Sequence, residues 1–137
     1  MKNNFLVTGG HGFLGQHLVQ AALGDGGLCP IIVDTAGEVP MRGAESILAD
    51  VRDKGLLRDI FRKYEPEFVV HAAAELPRSE PDSIQTTTVD GTQNILDLAH
   101  EYGVSRTVFI SSTAVYSHMG PGMHREDEQL AEGFGAY

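Results

Sequence analysis

The chain has 137 residues, 42% of them hydrophobic and 21% charged, which suits a single globular domain with a real core. Its formal net charge of −9 argues against a nucleic-acid partner, because nucleic-acid binding depends on Lys and Arg side chains that neutralise phosphates. There is no apolar run long enough to span a membrane and no secretion signal, and the single cysteine, Cys29, excludes an internal disulfide. We therefore expect a cytoplasmic protein without membrane contact.

Short apolar runs alternate along the chain with segments of helical periodicity. The apolar runs predict five buried strands, at 5–7, 31–34, 46–49, 68–71 and 107–110. Apolar residues at helical spacing predict helices at 14–22, 56–64 and 84–102. The alternation predicts an α/β fold, a Rossmann-type doubly wound parallel sheet with helices on both faces. After Ser117 the pattern gives way to a loop, so we expect the sheet to be truncated after the fifth strand.

A glycine-rich turn follows the first predicted strand and opens the first predicted helix. Gly9, Gly12 and Gly15 have the spacing G-x-x-G-x-x-G, and Phe13 and Leu14 separate the last two. In such a turn one glycine permits the bend, one lets backbone N–H groups approach phosphate, and one packs the helix against the strand. The helix N-terminus adds a partial positive charge. The turn therefore predicts binding of a dinucleotide pyrophosphate.

Acidic residues end the second and third predicted strands. Asp34, 19 residues after Gly15, predicts an acceptor for the hydroxyls of an adenosine ribose. Because its charge would repel a 2′-phosphate, it favours NAD over NADP. Asp50 and Val51 follow the third strand, where the aspartate is suited to bind an adenine amino group while the valine lies behind the ring. An equally good interpretation makes Asp50 the N-cap of the next helix.

Three alanines follow the fourth predicted strand. Ala72, Ala73 and Ala74 predict a wall where backbone lies close to a flat cofactor, although close packing alone would also explain them. His71, directly before them in an apolar run, is interpreted as a core histidine. The spacing of the histidines relative to cysteine and carboxylates predicts no metal site.

Hydroxyl side chains follow the fifth predicted strand. Ser111, Ser112 and Thr113 are placed to hydrogen-bond a substrate oxygen that gains or loses a proton, because ligands bind at the carboxyl ends of parallel strands. Isolated serines at a strand end more often cap backbone groups, so these residues alone do not decide between the two roles.

Together these segments resemble one family, the extended short-chain dehydrogenase/reductases, and within it the NAD-dependent epimerase/dehydratase group that includes UDP-galactose epimerase. The resemblance runs through essentially the whole chain. The matching segments are the T-G-G-x-G-F-[IL]-G turn at 8–15, Asp34, the pair Asp50 and Val51, the V-H-x-A-A segment at 70–74, the V-x-G-T-x-N segment at 89–94 and the S-S-x-x-V-Y segment at 111–116.

The resemblance implies that residues 1–137 form an incomplete NAD(P)-binding domain, without the sixth strand and the substrate-binding part. It implies NAD, rather than NADP, as cofactor for hydride transfer to or from a small molecule such as a nucleotide sugar. It implies Ser112 as the catalytic hydroxyl, with Thr113 as the alternative, and Tyr137 as the catalytic tyrosine. The lysine of the family's Y-x-x-x-K would be residue 141, so we expect the chain alone to be inactive. We expect the full-length form to be a homodimer.

Two further positions depart from the family pattern. Thr88 stands where the family usually has asparagine, and Ser117 where it has glycine. These departures leave open a non-catalytic module that binds NAD. A sterol or flavonoid dehydrogenase or reductase of the same family also stays open, because the residues that select the substrate lie mostly beyond Tyr137.

Overall fold

The computed structural model of the chain describes residues 2–36, 41–75, 79–116 and 122–127. Within these ranges five strands form one parallel sheet: β1 (Asn3–Thr8), β2 (Leu28–Asp34), β3 (Glu45–Leu48), β4 (Phe68–His71) and β5 (Arg106–Phe109). Their order across the sheet is β3-β2-β1-β4-β5. In the central strand, Val7 pairs with Ile32 of β2 on one side and Val70 of β4 on the other. The order steps away from β1 in both directions, so the predicted doubly wound parallel sheet is confirmed.

Helical segments connect the strands: α1 (Phe13–Asp25), α2 (Lys54–Tyr64), α3 (Pro81–Ile84) and α4 (Gly91–Glu101). A π-helical segment, Gln85–Asp90, joins α3 to α4, and a 3-10 turn, Thr113–Tyr116, follows β5. The predicted helix at 84–102 is therefore helical throughout most of its length, but its first part has the wider π geometry, which apolar spacing does not reveal. Among the described residues, no helix combines the length and apolar character needed to cross a membrane.

Local chemistry explains where the helices begin and end. Helix α1 ends at Gly26, whose φ of 74° lies in the left-handed region that favours glycine. Helix α2 begins at Asp53, whose side chain accepts the backbone N–H of Leu56 at 2.9 Å. Asp53 is therefore the N-cap of α2, and the alternative interpretation of Asp50 as that cap is wrong.

Each face of the sheet carries its own hydrophobic core, because successive strand residues point to opposite faces. On one face Leu6, Val33 and Val69 pack with side chains of α2 and α4; the largest of these, all fully buried, are Leu57, Phe61, Ile95 and Leu98. On the other face Val7, Ile32 and Val70 pack with residues of α1, among them Val19 and Ala22. The two cores fix the helices to both faces. Because all five strands run parallel, their carboxyl ends lie at one edge of the sheet.

Helix α4 packs tightly on the loop after β3 at Gly91, where a Cβ atom would lie 2.6 Å from Cγ2 of Val51. We expect Gly91→Ala to lower the free energy of unfolding by about 1–3 kcal/mol, because the added methyl group overpacks a filled contact. Urea unfolding measures this change. The control is Gly24→Ala in α1, where an added Cβ meets nothing within 4 Å. That variant should be as stable as wild type or stabilised by up to about 1 kcal/mol, and equal stability of Gly91→Ala and wild type would contradict the close contact.

Candidate functional site

A cleft of about 430 Å³ lies at the carboxyl edge of the sheet, between the ends of β1, β2 and β4 and the loop after β3. Five separate parts of the chain meet there, the fifth being the π-helical segment. The residues predicted from the sequence that line it are Gly9, Gly12, Asp34, Asp50, Val51, Ala72, Ala73 and Ala74. The strand order therefore brings together groups that lie up to 65 positions apart in the chain.

The glycine turn is packed so closely that a side chain at Gly9 or Gly15 would collide with backbone atoms. Gly9 has a φ of 68°, and a Cβ there would lie 2.8 Å from the backbone nitrogen of Ala73. A Cβ at Gly15, in the first turn of α1, would lie 2.3 Å from the carbonyl oxygen of Gly9. Contacts this short exclude larger residues, so the turn lies directly against both the end of β4 and the start of α1.

The N-terminus of α1 opens at this turn. Its N-cap residue, Gly12, makes no side-chain cap, and the first helical turn carries no acidic side chain. Phe13 and Leu14 are 88% and 42% exposed. Their contribution at the turn is therefore their backbone N–H groups. Such N–H groups, with the helix dipole behind them, form an anion-binding arrangement.

Asp34 is held in the wall of the cleft by two backbone groups. One carboxylate oxygen accepts the N–H of His11 at 2.9 Å and the other accepts the N–H of Ala36 at 2.8 Å. An ionised carboxylate offers about four lone-pair positions, so both oxygens keep acceptor capacity toward a ligand. The backbone of the glycine turn is thus hydrogen-bonded directly to the carboxylate of Asp34.

His11 is a cleft residue that the sequence analysis did not single out. Its Nε2 lies 2.7 Å from the hydroxyl oxygen of Ser46 on β3. Its Nδ1 is buried and has no hydrogen-bond partner within the described residues. Its position between Gly10 and Gly12 was the available signal. Buried polar atoms are usually hydrogen-bonded, so the unpaired Nδ1 of this cleft residue is consistent with a site for a polar ligand.

Arg52 is the second residue that was missed, and it changes the description of Asp50. The Arg52 guanidinium lies 2.6 Å from Oδ2 of Asp50, and its backbone N–H donates to Oδ1 of the same carboxylate at 2.9 Å. Hydrogen bonding from this side chain holds the pKa of Asp50 below its usual range. Both residues line the cleft, so the predicted adenine-side carboxylate is already part of an ion pair.

The π-helical segment contributes Thr87 to the cleft, a third residue that sequence periodicity did not predict. Its neighbour Thr88, which stands where the family usually has asparagine, accepts the backbone N–H of Glu75 on its hydroxyl oxygen at 3.1 Å. The Glu75 carboxylate in turn accepts the hydroxyls of Ser79 and Ser83 at 2.8 and 3.2 Å. Thr88 therefore ties the chain that follows β4 to the π-helical segment.

His71 is buried, with 1% of its surface exposed, and both ring nitrogens have partners. Nδ1 lies 2.6 Å from the hydroxyl oxygen of Thr8, and Nε2 lies 2.9 Å from that of Thr92. The interpretation of His71 as a core histidine is confirmed. Burial lowers its pKa to about 4, so the ring is neutral at physiological pH.

The predicted catalytic hydroxyls lie outside the residues that line the cleft. Ser112 is half-buried, three residues after the end of β5, and its carbonyl oxygen accepts the N–H of Val115 at 3.3 Å. Thr113 is exposed and begins the 3-10 turn. Tyr137 falls outside the described residues. The roles of Ser112, Thr113 and Tyr137 in chemistry therefore stay predictions.

A parallel sheet of this strand order, with a glycine turn after its first strand and an acid after its second, defines a Rossmann-type domain. The family model described as "NAD dependent epimerase/dehydratase family" matches residues 5–135. The chain belongs to this family, which confirms the resemblance deduced from its motifs.

Individual relatives agree with this assignment. The dTDP-glucose 4,6-dehydratase of Streptomyces griseus is 34% identical over 95% of this chain and 44% of its own length. Human UDP-glucose 4-epimerase is 30% identical over 86% of this chain and 40% of its own length. The crystal structure of Bordetella bronchiseptica WbmG in complex with NAD and UDP matches all of this chain with a TM-score of 0.89 at 28% identity, and the match covers 46% of that protein. The chain thus spans less than half the length of these relatives.

We expect the free energy of unfolding to fall as the pH is lowered from about 6.5 to about 4. In this window the unfolded chain protonates His71 at an ordinary pKa of about 6.5, whereas the folded chain keeps it neutral down to about pH 4. The unfolded state then binds more protons, so lower pH favours it, and the loss attributable to His71 approaches about 3 kcal/mol. Below both pKa values the loss of stability attributable to His71 no longer increases as the pH falls.

Urea unfolding between about pH 7 and 4 measures this slope. His71→Gln, which cannot titrate, is the control for the acidic groups that titrate in the same range, and the difference between the two slopes isolates His71. If wild type and His71→Gln lose stability in parallel over this window, the buried neutral state of His71 is wrong.

Proposed function

We propose that this chain forms the NAD-binding part of an epimerase/dehydratase-type oxidoreductase that acts on the hydroxyl or carbonyl group of a nucleotide sugar. The observation that carries the proposal is the cleft, in which an oriented carboxylate and an uncapped helix N-terminus lie on either side of the same glycine turn. A dinucleotide offers the matching groups, ribose hydroxyls and a pyrophosphate. Membership of the family and the relatives' names support the same reaction class.

In this proposal each wall of the cleft has a part in holding NAD. The turn Gly9–Gly15 and the N-terminus of α1 would hold the pyrophosphate, Asp34 the adenosine ribose, and Asp50 with Val51 the adenine side. The small side chains Ala72, Ala73 and Ala74 would let the flat part of the cofactor lie against backbone. Gly9 and Gly15 are needed for contacts within the protein, which hold the glycine turn against the end of β4 and the start of α1.

Bound NAD would supply a hydride acceptor, and the protein would move the proton. In this proposal Ser112, or Thr113 in its place, hydrogen-bonds the substrate oxygen that loses the proton, and Tyr137 is the base. Ser112 follows the carboxyl end of β5 by three residues, and the cleft opens at the carboxyl ends of the neighbouring strands. A cytoplasmic location and homodimeric assembly belong to the same proposal.

A second candidate is an NAD-binding module without catalysis. It is favoured by Thr88, because a residue that departs from the family pattern is engaged in a structural hydrogen bond with Glu75. Both candidates predict NAD binding, and they differ in whether Ser112 contributes to hydride transfer. Hydride transfer by the full-length protein that is lost in its Ser112→Ala variant supports the enzyme.

We expect Gly12→Val to weaken NAD binding at least tenfold, because its side chain would project from the exposed N-cap into the space needed by the pyrophosphate. A tenfold change corresponds to about 1.4 kcal/mol. Titration calorimetry with NAD measures the dissociation constant, and Gly24→Ala, in α1 but outside the cleft, is the matched control. NAD affinity unchanged by Gly12→Val would remove the glycine turn from the binding site.

We expect Asp34→Ala to weaken NAD binding by about 10- to 100-fold, the cost of losing hydrogen bonds to a charged acceptor. The affinity for NADP should fall less, because the substitution also removes the charge that repels its 2′-phosphate. Competition of the two nucleotides for one sample gives the preference directly. Asp59→Ala on the exposed face of α2 removes the same charge away from this cleft, and an identical preference in the two variants would contradict the role of Asp34.

A further inference from the structure

The buried hydrogen bonds around His71 form one connected chain that links the two sides of the cleft. His71 is the last residue of β4, and Thr8, the last residue of β1, directly precedes the glycine turn. Thr92 lies in the first turn of α4. One imidazole therefore joins the two central strands to a helix immediately behind the cleft walls.

The partners of these groups decide where each proton lies. The Thr92 hydroxyl donates to the backbone carbonyl of Thr88, which can only accept. The Thr92 oxygen must then accept from His71, so Nε2 carries the proton of the ring. On the other side, the N–H of Ala73 donates to the Thr8 hydroxyl oxygen at 3.3 Å, which leaves the single proton of that hydroxyl for Nδ1. A neutral ring protonated at Nε2 satisfies every member of the chain.

The other contacts of the ring agree with a neutral state. Phe109 of β5 stacks on it with ring centroids 5.9 Å apart. The three side chains that hydrogen-bond or stack on the ring, from β1, α4 and β5, carry no charge. Nothing in these contacts provides a counter-ion for an imidazolium.

We propose that His71, held as the neutral Nε2–H tautomer by Thr8 and Thr92, is a positioning residue that fixes the glycine turn and the alanine wall of the cleft relative to α4. The reason is the lack of free space at Gly9, where the backbone of Ala73 already lies at the limit of contact. Thr8 and Ala73, the residues joined through the hydroxyl of Thr8, each adjoin that contact. A shift of a few tenths of an ångström in either would therefore change the shape of the nucleotide site.

The tautomer is tested first, on wild type, by nitrogen-15 NMR of histidine-labelled chain at neutral pH. We expect His71 to show a protonated Nε2 and an unprotonated Nδ1. A ring protonated at Nδ1, or at both nitrogens, would overturn the assignment. This measurement needs neither a variant nor a ligand.

The positioning role is tested with Thr92→Val, which removes the hydroxyl, and Thr92→Ser, which keeps it. For its effect on NAD this part rests on the proposed function. We expect Thr92→Val to bind NAD about tenfold more weakly and to lose the single-tautomer signature of His71, because a buried N–H loses its acceptor. Thr92→Ser should keep the NAD affinity of wild type and the single-tautomer signature of His71. Thr86→Val removes a comparable hydroxyl, which lies in the π-helical segment and donates to the carbonyl of Asp82 in α3. This variant should leave both readouts as in wild type.

The outcomes separate this inference from the proposed function. Equal NAD binding by wild type and Thr92→Val, or a loss in Thr92→Ser as large as in Thr92→Val, would overturn the positioning role. If wild type binds no NAD at all while His71 shows the expected tautomer, the proposed function fails and the hydrogen-bond assignment stands. If NAD binds but His71 does not show the expected tautomer, the hydrogen-bond assignment fails and the proposed function stands.

Discussion

The close approach of three backbone segments at Gly9 is the constraint on which the site depends. The turn after β1, the first residues after β4 and the start of α1 meet at distances that exclude even a methyl group at Gly9 or Gly15. Because β1 is the central strand, this contact joins the two halves of the sheet at the edge where the cleft opens. The shape of the cleft therefore depends on the absence of side chains at Gly9 and Gly15 as well as on the side chains that line it.

Helix α4 supports this edge from behind through three residues at its N-terminal end. Gly91 packs on Val51, Asn94 donates to the Val51 carbonyl at 3.1 Å, and Thr92 accepts from His71. The segment that resembles the family's V-x-G-T-x-N thus holds both the loop after β3 and the end of β4. The π-helical segment before it widens the helix and brings Thr87 to the cleft, in keeping with the frequent occurrence of π geometry at functional sites.

The charges around the cleft are arranged in two ways. Arg52 neutralises Asp50, whereas Asp34 accepts backbone N–H groups from His11 and Ala36 and keeps acceptor capacity. The N-terminus of α1 adds a partial positive charge at the turn. A ligand with hydroxyls at one end and an anionic centre matches this pattern even though the whole chain has a net charge of −9. Local orientation, and not overall charge, sets what the cleft can bind.

The sequence by itself determined the strands, most of α1, α2 and α4, the doubly wound fold and the family, because periodicity, glycine spacing and strand-end residues are local patterns. It also identified most of the cleft lining, since strand ends of a parallel sheet meet at one edge. Only the tertiary structure decided that Asp53 and not Asp50 caps α2, that His11 and Arg52 belong to the cleft, and which groups surround His71. Some of these contacts join residues 23 and 63 positions apart, as between His11 and Asp34 or Thr8 and His71. Others depend on side-chain geometry in a loop or on π-helical turns, and neither leaves a repeat in the sequence that could be recognised.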